Sequence, residues 1–496
     1  MIDAVLHSFQ PVTGYGREFF KELRPVITDE KEFHRHWQRM QKVLKLDKLT
    51  IRAIRDTLTL LGSIKQQVEN GFESIGDFAK LKRFVHYARR LSEFTKDIWE
   101  LPDLGGLWKK LAEMTSESAN FYLQSEVLLN LRKEHLLISE KIEKKFRSVI
   151  EHIETKFSIK LPAEEFTCDR ETGERLIGEN LVEVIRTSIE RYHLRIKPTQ
   201  EILELSEKLR RIEDQMKDQE QSVLKELRRI ADSFLDILRD CEKIVQQIDL
   251  DLCRYDFFFR MNCCQPEISD RLLVRSGRFS PVVKYCKEND YTYYPVSLDA
   301  TKGVTVLYGP NMGGKTTLLR TIGSFVVLMH LGFAVPCDSF CSPVFDSVRY
   351  LYRGEELGLS SFAKEISSFV DIFKTGGRKL ILIDEFGSTT NPVEGEALAL
   401  AVIDYLEDSE DFVFFTTHYP MVVKSAPNVY MCGKLKNLDA VDPHRMIDYS
   451  LETGKHIDQN VAIVMAQRFG MPEKIVQTAQ NFLKKGDSCG KGVHGQ

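Results

Sequence analysis

The segment Gly309-Pro310-Asn311-Met312-Gly313-Gly314-Lys315-Thr316 has the spacing G-x-x-x-x-G-K-[ST], which gathers phosphate-binding groups on one loop. Its glycines let backbone N–H groups curl around phosphate oxygens, and a helix starting at its end adds partial positive charge there. In such a loop the Lys315 ammonium reaches the β- and γ-phosphates, and the Thr316 hydroxyl ligates Mg²⁺. The context is the one the motif needs. The apolar run Val304-Thr305-Val306-Leu307-Tyr308 reads as the preceding strand, and Thr317-Leu318-Leu319-Arg320 as the helix start. Gly309 to Thr317 are therefore the candidate nucleotide-binding residues, with ATP and Mg²⁺ as the ligands they imply.

Two more strand ends carry matching groups. Leu380-Ile381-Leu382-Ile383 closes on Asp384-Glu385. A carboxylate at the end of a buried strand facing a phosphate loop can complete a Mg²⁺ shell, the role expected of Asp384. Glu385 is placed to orient and polarise an attacking water. Phe412-Val413-Phe414-Phe415-Thr416-Thr417 ends at His418, whose imidazole could contact the γ-phosphate. Alone, the acidic pair could be a solvated strand end and His418 a structural residue. Beside the phosphate loop they form a hydrolytic set in which Lys315, Glu385 and His418 are the candidate catalytic residues.

The rest of the chain must position this set. With 496 residues, 43% of them hydrophobic, there is material for about three domains. Residues 1–110 read as a helical core domain, with apolar positions three and four apart, as in Phe33, Trp37 and Met40. Residues 111–265 read as long helices, which the family resemblance given below makes levers carrying a clamp. One is predicted from Ser116 to about His152, with no Pro or Gly to interrupt it. A second is predicted from Thr199 to about Leu250. Its stripe of Leu205, Leu209, Ile212, Met216, Val223, Leu227, Ile230, Phe234 and Ile237 is a heptad repeat with a polar gap at Glu220. Between them, at about 151–195, Pro162, Gly173 and Gly178 mark a small clamp-like insert. From about residue 266 to 485 the texture is α/β, with short apolar runs of the buried parallel-strand type. The Gly-rich stretch 486–496 is expected to be a disordered tail. The fold class is thus multidomain: an all-α core and lever with a clamp-like insert, then an α/β P-loop ATPase domain.

GPNMGGKTTLLR resembles the P-loop of MutS proteins, in which Asn and Met precede the paired glycines. Ile383 to Ala399 is similar to the strand and following loop that complete the MutS ATP site, and its Asn391-Pro392-Val393-Glu394-Gly395 resembles the short MutS relatives. Gly358-x-Ser360-Ser361-Phe362-x-x-Glu365 resembles the family's signature segment. Asn460 to Ile475 resembles its helical dimerisation region. More weakly, Thr13 to Pro25 looks like the start of the MutS core domain, and Glu190-Arg191-Tyr192 like the return from clamp to lever. The resemblance implies an ABC-type ATPase that works as a homodimer or related heterodimer, two subunits enclosing two ATPs. Ser360 would reach the γ-phosphate across the dimer, and the levers would carry nucleotide state to the clamp. Departures from the pattern are Leu357 before the signature glycine and a chain that starts at the core domain, without the mismatch-reading and connector domains. Phe20-Lys21-Glu22 fits the three-letter mismatch wedge but falls in a core helix, which makes it a coincidence of a short pattern.

Bulk charge bears on what the levers grip. The net charge is −4, and the insert from Glu151 to Arg195 has ten carboxylates against seven basic side chains. Neither is the basic excess of a phosphate-gripping surface. Two clients stay open: DNA, in repair or recombination without base-specific mismatch reading, or a protein. Among short MutS relatives, reactivating factors of adenosylcobalamin-dependent aminomutases exemplify the second. A third reading, a nucleotide-binding structural protein without turnover, runs against the full hydrolytic set. No apolar run approaches the roughly 20 residues of a membrane span, and no export signal opens the chain. Ten cysteines lacking paired CxxC spacing, with Cys263 beside Cys264 and Cys337 four before Cys341, read as free thiols of a cytoplasmic protein.

Overall fold

A computed structural model of the protein describes residues 9–22, 24–116, 121–351, 361–436, 442–455 and 461–489. Among them the chain opens with helices α1 (Gly14–Glu22), α2 (Glu30–Leu44), α3 (Lys48–Leu61), α4 (Lys65–Asn70), α5 (Ile75–Thr95) and α6 (Gly105–Met114). The long α7 (Glu126–Phe157) leads to β1 (Glu165–Asp169), α8 (Arg170–Gly178), β2 (Val182–Thr187) and β3 (Arg191–Ile196), followed by α9 (Gln200–Asp232) and α10 (Leu235–Arg260). Alternation then sets in with β4 (Glu267–Ile268), β5 (Leu272–Gly277), α11 (Ser280–Glu288), β6 (Val296–Ala300), β7 (Gly303–Tyr308), α12 (Lys315–His330), β8 (Ser339–Ser342) and β9 (Ser347–Leu351). It continues through α13 (Ser361–Ile372), β10 (Lys379–Asp384), α14 (Pro392–Glu407), β11 (Phe412–Thr417), α15 (Pro420–Ser425) and β12 (Asn428–Leu435). Last come α16 (Pro443–Met446), β13 (Ile447–Thr453), α17 (Val461–Arg468) and α18 (Glu473–Cys489). The final helix runs past Gly486, into the segment expected to be a tail; residues 490–496 lie outside the described residues.

Contacts divide the chain into two units, Met1–Arg55 with Gln246–Gln496, and Asp56–Val245. The division cuts the expected helical segment 1–110 at residue 55, and buried polar contacts explain why. Asp249 on α10 accepts hydrogen bonds from the Val12 and Thr13 N–H groups and the Thr13 hydroxyl at 2.9, 2.7 and 2.6 Å. The N–H groups of Val26 and Ile27 both donate to the His330 carbonyl at the end of α12, each at 2.9 Å. Arg254 donates to the next carbonyl, Leu331, at 2.7 Å, and also to Asp251, itself bonded by Arg39. His36 Nε2 meets the carbonyl of Gly332 at 2.8 Å while its Nδ1 faces Arg39. A carbonyl can only accept and a guanidinium only donate, so this fixes one neutral tautomer. Burial, reinforced by the Arg254 charge, pushes the His36 pKa down to about 3.

The centre of this unit is a six-stranded sheet, order β13-β12-β7-β11-β10-β9, parallel except for the β12–β13 pair. Its middle strands are apolar on both faces, as a sheet covered by helices on both sides requires. Val304, Val306, Ile381, Ile383, Val413 and Phe415 join Ala399, Val402, Ile403 and Leu406 of α14 in one core, while Leu380, Leu382, Phe412 and Phe414 are buried on the opposite face. A four-stranded sheet, β4-β8-β5-β6, adjoins in sequence. Phe20, of the wedge-like tripeptide, lies on α1 as expected and stacks on Phe9 at 5.3 Å and meets Phe333 at 6.3 Å.

In the unit Asp56–Val245, α7 and α9 pair antiparallel through Arg132–Glu220, Glu134–Lys208 and Lys145–Glu201. The predicted stripe faces inward, and the gap at Glu220 is where Arg132 reaches across, 3.1 Å away. Two helix boundaries differ from the sequence reading. The first long helix starts at Glu126, because the Ser125 hydroxyl caps it by accepting from Leu128 N–H. The second breaks at Ser233-Phe234: the Ser233 hydroxyl bonds back to the Ile230 carbonyl at 2.7 Å, and the backbone tightens there before α10 resumes to Arg260. The insert is an antiparallel sheet, order β1-β3-β2, with Phe166, Val182, Leu194 and Ile196 packed on Leu176 of α8 and Ile153 of α7.

Candidate active site

The phosphate-loop segment turns from β7 into α12 through backbone that side chains rarely adopt. Met312 and Gly314 have φ of 78° and 86°. Gly309 and Gly313 lie against the carbonyl of Cys432, which a Cβ on either would approach to 2.0 and 2.8 Å. No other residue fits these two places without moving β12. Gly314 is the N-cap of α12, so the helix's unpaired N–H groups open onto the loop's concave side. Lys315 is buried, and its ammonium donates to the carbonyls of Gly309 and Pro310 at 2.9 and 3.1 Å.

The end of β10 meets the loop. The Thr316 hydroxyl donates to Asp384 Oδ2 and the Thr416 hydroxyl to Asp384 Oδ1, both at 2.8 Å. Thr416 also accepts from Glu385 N–H at 2.9 Å, which helps hold Glu385 at a φ of 56°. That turn aims the Glu385 carboxylate at Lys315, 3.4 Å away. Tyr350 on β9 is half-buried beside Asp384, and burial and that carboxylate raise its pKa. The loop after Glu385 is fixed in turn: Glu365 on α13 accepts from Gly387 N–H at 3.1 Å and the Thr389 hydroxyl at 3.2 Å. Asn391 and Pro392 start α14, the Asn391 side chain capping Val393 N–H at 3.0 Å. Gly395 passes so close that a Cβ would sit 2.4 Å from the Gly387 carbonyl.

Pro310 to Thr317, Asp384 and Glu385 line one cavity of about 600 Å³. Its other wall is aromatic: Tyr285, Tyr291, Tyr293, Tyr294, Tyr449 and His444. The rings of Tyr291 and His444 lie 5.2 Å apart, and Tyr291 donates to Asp442 at 2.8 Å, which raises its pKa. Burial pushes the Tyr449 pKa to about 12. Both phenols therefore keep their protons near neutral pH. This wall escaped the sequence reading, although the run Tyr291-Thr292-Tyr293-Tyr294-Pro295 was a signal for it. A slot with flat aromatic sides beside a phosphate cradle suits a planar base.

His418 follows β11 directly, but its ring is exposed, lies 4.4 Å from that of Tyr419 and does not line the cavity. Leu357, Gly358 and Ser360 lie outside the described residues.

Residues 305–486 match the model of MutS domain V. Over 375 residues the chain is 27% identical to the Endonuclease MutS2 of Aquifex aeolicus, covering 72% of this chain and 47% of that protein. It is 28% identical over 295 residues to the Endonuclease MutS2 of Thermotoga maritima, covering 58% and 38%. The DNA mismatch repair protein MutS of Thermus thermophilus is 26% identical over 291 residues, covering 57% and 34%. Residues 305–486 thus form a domain similar to MutS domain V, and the chain resembles MutS proteins over more than half of its length. It spans under half the length of these MutS relatives. The MutS domain V match contains the phosphate loop, both carboxylates and His418, whereas the aromatic segment Tyr285–Tyr294 lies upstream of it.

Proposed function

We propose that the protein binds ATP in the cavity between the phosphate loop and the aromatic wall and hydrolyses its γ-phosphate bond in an ABC-type site. The convergence of Lys315, Thr316, Asp384 and Glu385 at the head of one helix carries this reading. The Lys315 ammonium and the α12 N-terminus would bind the phosphates, and the aromatic wall the base. Glu385, held by Thr416 and next to Lys315, would orient the attacking water and take its proton. The Thr316 hydroxyl and the Asp384 carboxylate form an all-oxygen pair of the kind Mg²⁺ uses alongside substrate phosphates. Mg²⁺ held by Thr316 and Asp384 would neutralise charge on the β- and γ-phosphates. His418 is assigned to the γ-phosphate from its place after β11 beside the phosphate loop, and Ser360, from a second subunit of a dimer, on family resemblance.

Glu385→Gln should lower kcat by roughly 10²-fold or more while ATP binding is kept. Lys315→Ala should weaken ATP binding itself. Measured by steady-state hydrolysis and fluorescent-nucleotide titration, unchanged turnover in Glu385→Gln would exclude Glu385 as the base.

DNA is the client we favour, on the strength of relatives named as an endonuclease and a DNA mismatch repair protein. The insert supports the other reading, a protein client, because carboxylates outnumber its basic groups and pair with three of them: Arg195 with Glu165, Lys156 with Glu179, Arg170 with Glu174. Titration with single-stranded, duplex and branched DNA, at two salt concentrations and with ADP or a non-hydrolysable ATP analogue, separates the two. Salt-sensitive, nucleotide-dependent binding supports DNA. Intact ATPase activity without DNA binding at low salt supports a protein client. Among the described residues no helix is long and apolar enough to cross a membrane.

A further inference from the structure

Cys264 and Cys337 come from segments 73 residues apart, yet their sulfurs lie 3.3 Å from each other. The neighbouring backbone holds them there: Cys264 and Val335 form an antiparallel bridge, with N–H to carbonyl distances of 2.9 and 3.1 Å in the two directions. Cys264 is half-buried and Cys337 buried. Arg278 closes over the same place. It donates through its backbone N–H to the Pro336 carbonyl at 2.7 Å and through its guanidinium to the Asn262 carbonyl at 2.6 Å and to Asp338 at 2.7 Å. The other two thiols nearby are engaged elsewhere: Cys263 points to the Phe257 carbonyl and Cys341 to Glu267.

We propose that Cys264 and Cys337 are a reactive dithiol that hydroperoxides oxidise to an intramolecular disulfide. The geometry needs little change, since a disulfide bond of about 2.05 Å asks each sulfur to move by less than about 1 Å. The roles of the two sulfurs differ. Cys264 is the more exposed of the two, and its contact with the Cys337 sulfur and the Arg278 charge lower its pKa, while that of the buried Cys337 is raised. Cys264 is thus the sulfur that attacks. Its thiolate takes the terminal oxygen of the peroxide, giving a sulfenic acid and releasing hydroxide, which leaves as water with the proton that Cys264 gave up. The Cys337 sulfur then displaces the sulfenic hydroxyl, and its own proton leaves with that hydroxyl as a second water. Two thiols lose two electrons, and one hydrogen peroxide becomes two waters. The closed loop contains the whole phosphate loop and α12, so the disulfide would tie the segment after α10 to the segment after α12.

The test is peroxide titration of the reduced full-length protein, with alkylation of the remaining thiols, digestion without reductant and mass spectrometry. The expected product is one cross-linked peptide joining residues 261–271 to 321–349, placed at Cys264 and Cys337 by fragmentation, reversed by dithiothreitol and absent from intermolecular species. Cys264→Ser and Cys337→Ser should each abolish it, whereas Cys263→Ser and Cys341→Ser should keep it. Fragmentation of the unsubstituted protein assigns the pair even if a variant misfolds. A cross-link through Cys263 or Cys341, or Cys264 oxidised only to sulfinic acid without a partner, would overturn the proposal.

Discussion

The protein's two principal sheets are built on opposite terms. The six-stranded sheet presents apolar side chains on both faces, and its middle strands β7, β10 and β11 are almost entirely buried. The three-stranded sheet of the insert buries one face on α7 and α8 and leaves the other open, with Val184, Ile185 and Ile189 exposed on the β2–β3 hairpin. The first is a frame, whose strand ends hold Asp384 and Glu385 against the phosphate loop through hydrogen bonds from Thr316 and Thr416. The second is a thin platform on the end of a two-helix stalk, held by a small apolar cluster and surface ion pairs. A sheet buried on both faces fixes the groups at its strand ends, whereas one buried on a single face leaves the other free to meet solvent.

Substitutions on the two cores probe this contrast directly. Phe415→Ala empties a fully buried site and should cost about 3–5 kcal/mol, with ATPase activity falling alongside stability. Leu194→Ala empties the insert's cluster and should cost about 2–3 kcal/mol, yet leave hydrolysis by the remaining folded protein unchanged. Denaturant titration beside an ATPase assay checks both, and loss of activity in Leu194→Ala would break the contrast. The buried ring of His36 gives a pH-gated effect that builds up gradually with acidification. Its pKa in the fold, about 3, lies below the ordinary 6.5, so between those values the unfolded chain binds a proton that the fold does not. Stability is fully present above pH 6.5 and should fall by about 1.4 kcal/mol per pH unit as the pH drops through that window. Urea titrations across the window, with His36→Gln as the variant that flattens the slope, measure it. The smallest effect belongs to the stalk. Glu220→Ala removes a half-exposed ion pair with Arg132 and should cost no more than about 1 kcal/mol. A larger loss would mean that the polar gap in the heptad fixes the pairing of α7 and α9.

The frame was far more legible in the sequence than the platform, for a physical reason. Phosphate chemistry needs particular residues at fixed spacing on one loop, and a strand buried on both faces needs an unbroken apolar run; both survive as local patterns. The aromatic wall did not, because Tyr291 and His444 meet only after β12 and β13 bring distant segments together. Neither did the break at Ser233, where one hydroxyl outweighs a heptad pattern that continues without interruption through Phe234 and Ile237. The association of residues 1–55 with the ATPase half rests on buried bonds from Asp249 and to His330, which no periodicity announces.

The carbonyls of His330, Leu331 and Gly332, each tied to a different partner, amount to a mechanical bearing. Helix α12 has 16 residues and is therefore a rod of about 24 Å, pinned at this end and carrying Lys315 and Thr316 at the other. A tilt of only about 5° around the pinned end sweeps the phosphate-facing tip through about 2 Å.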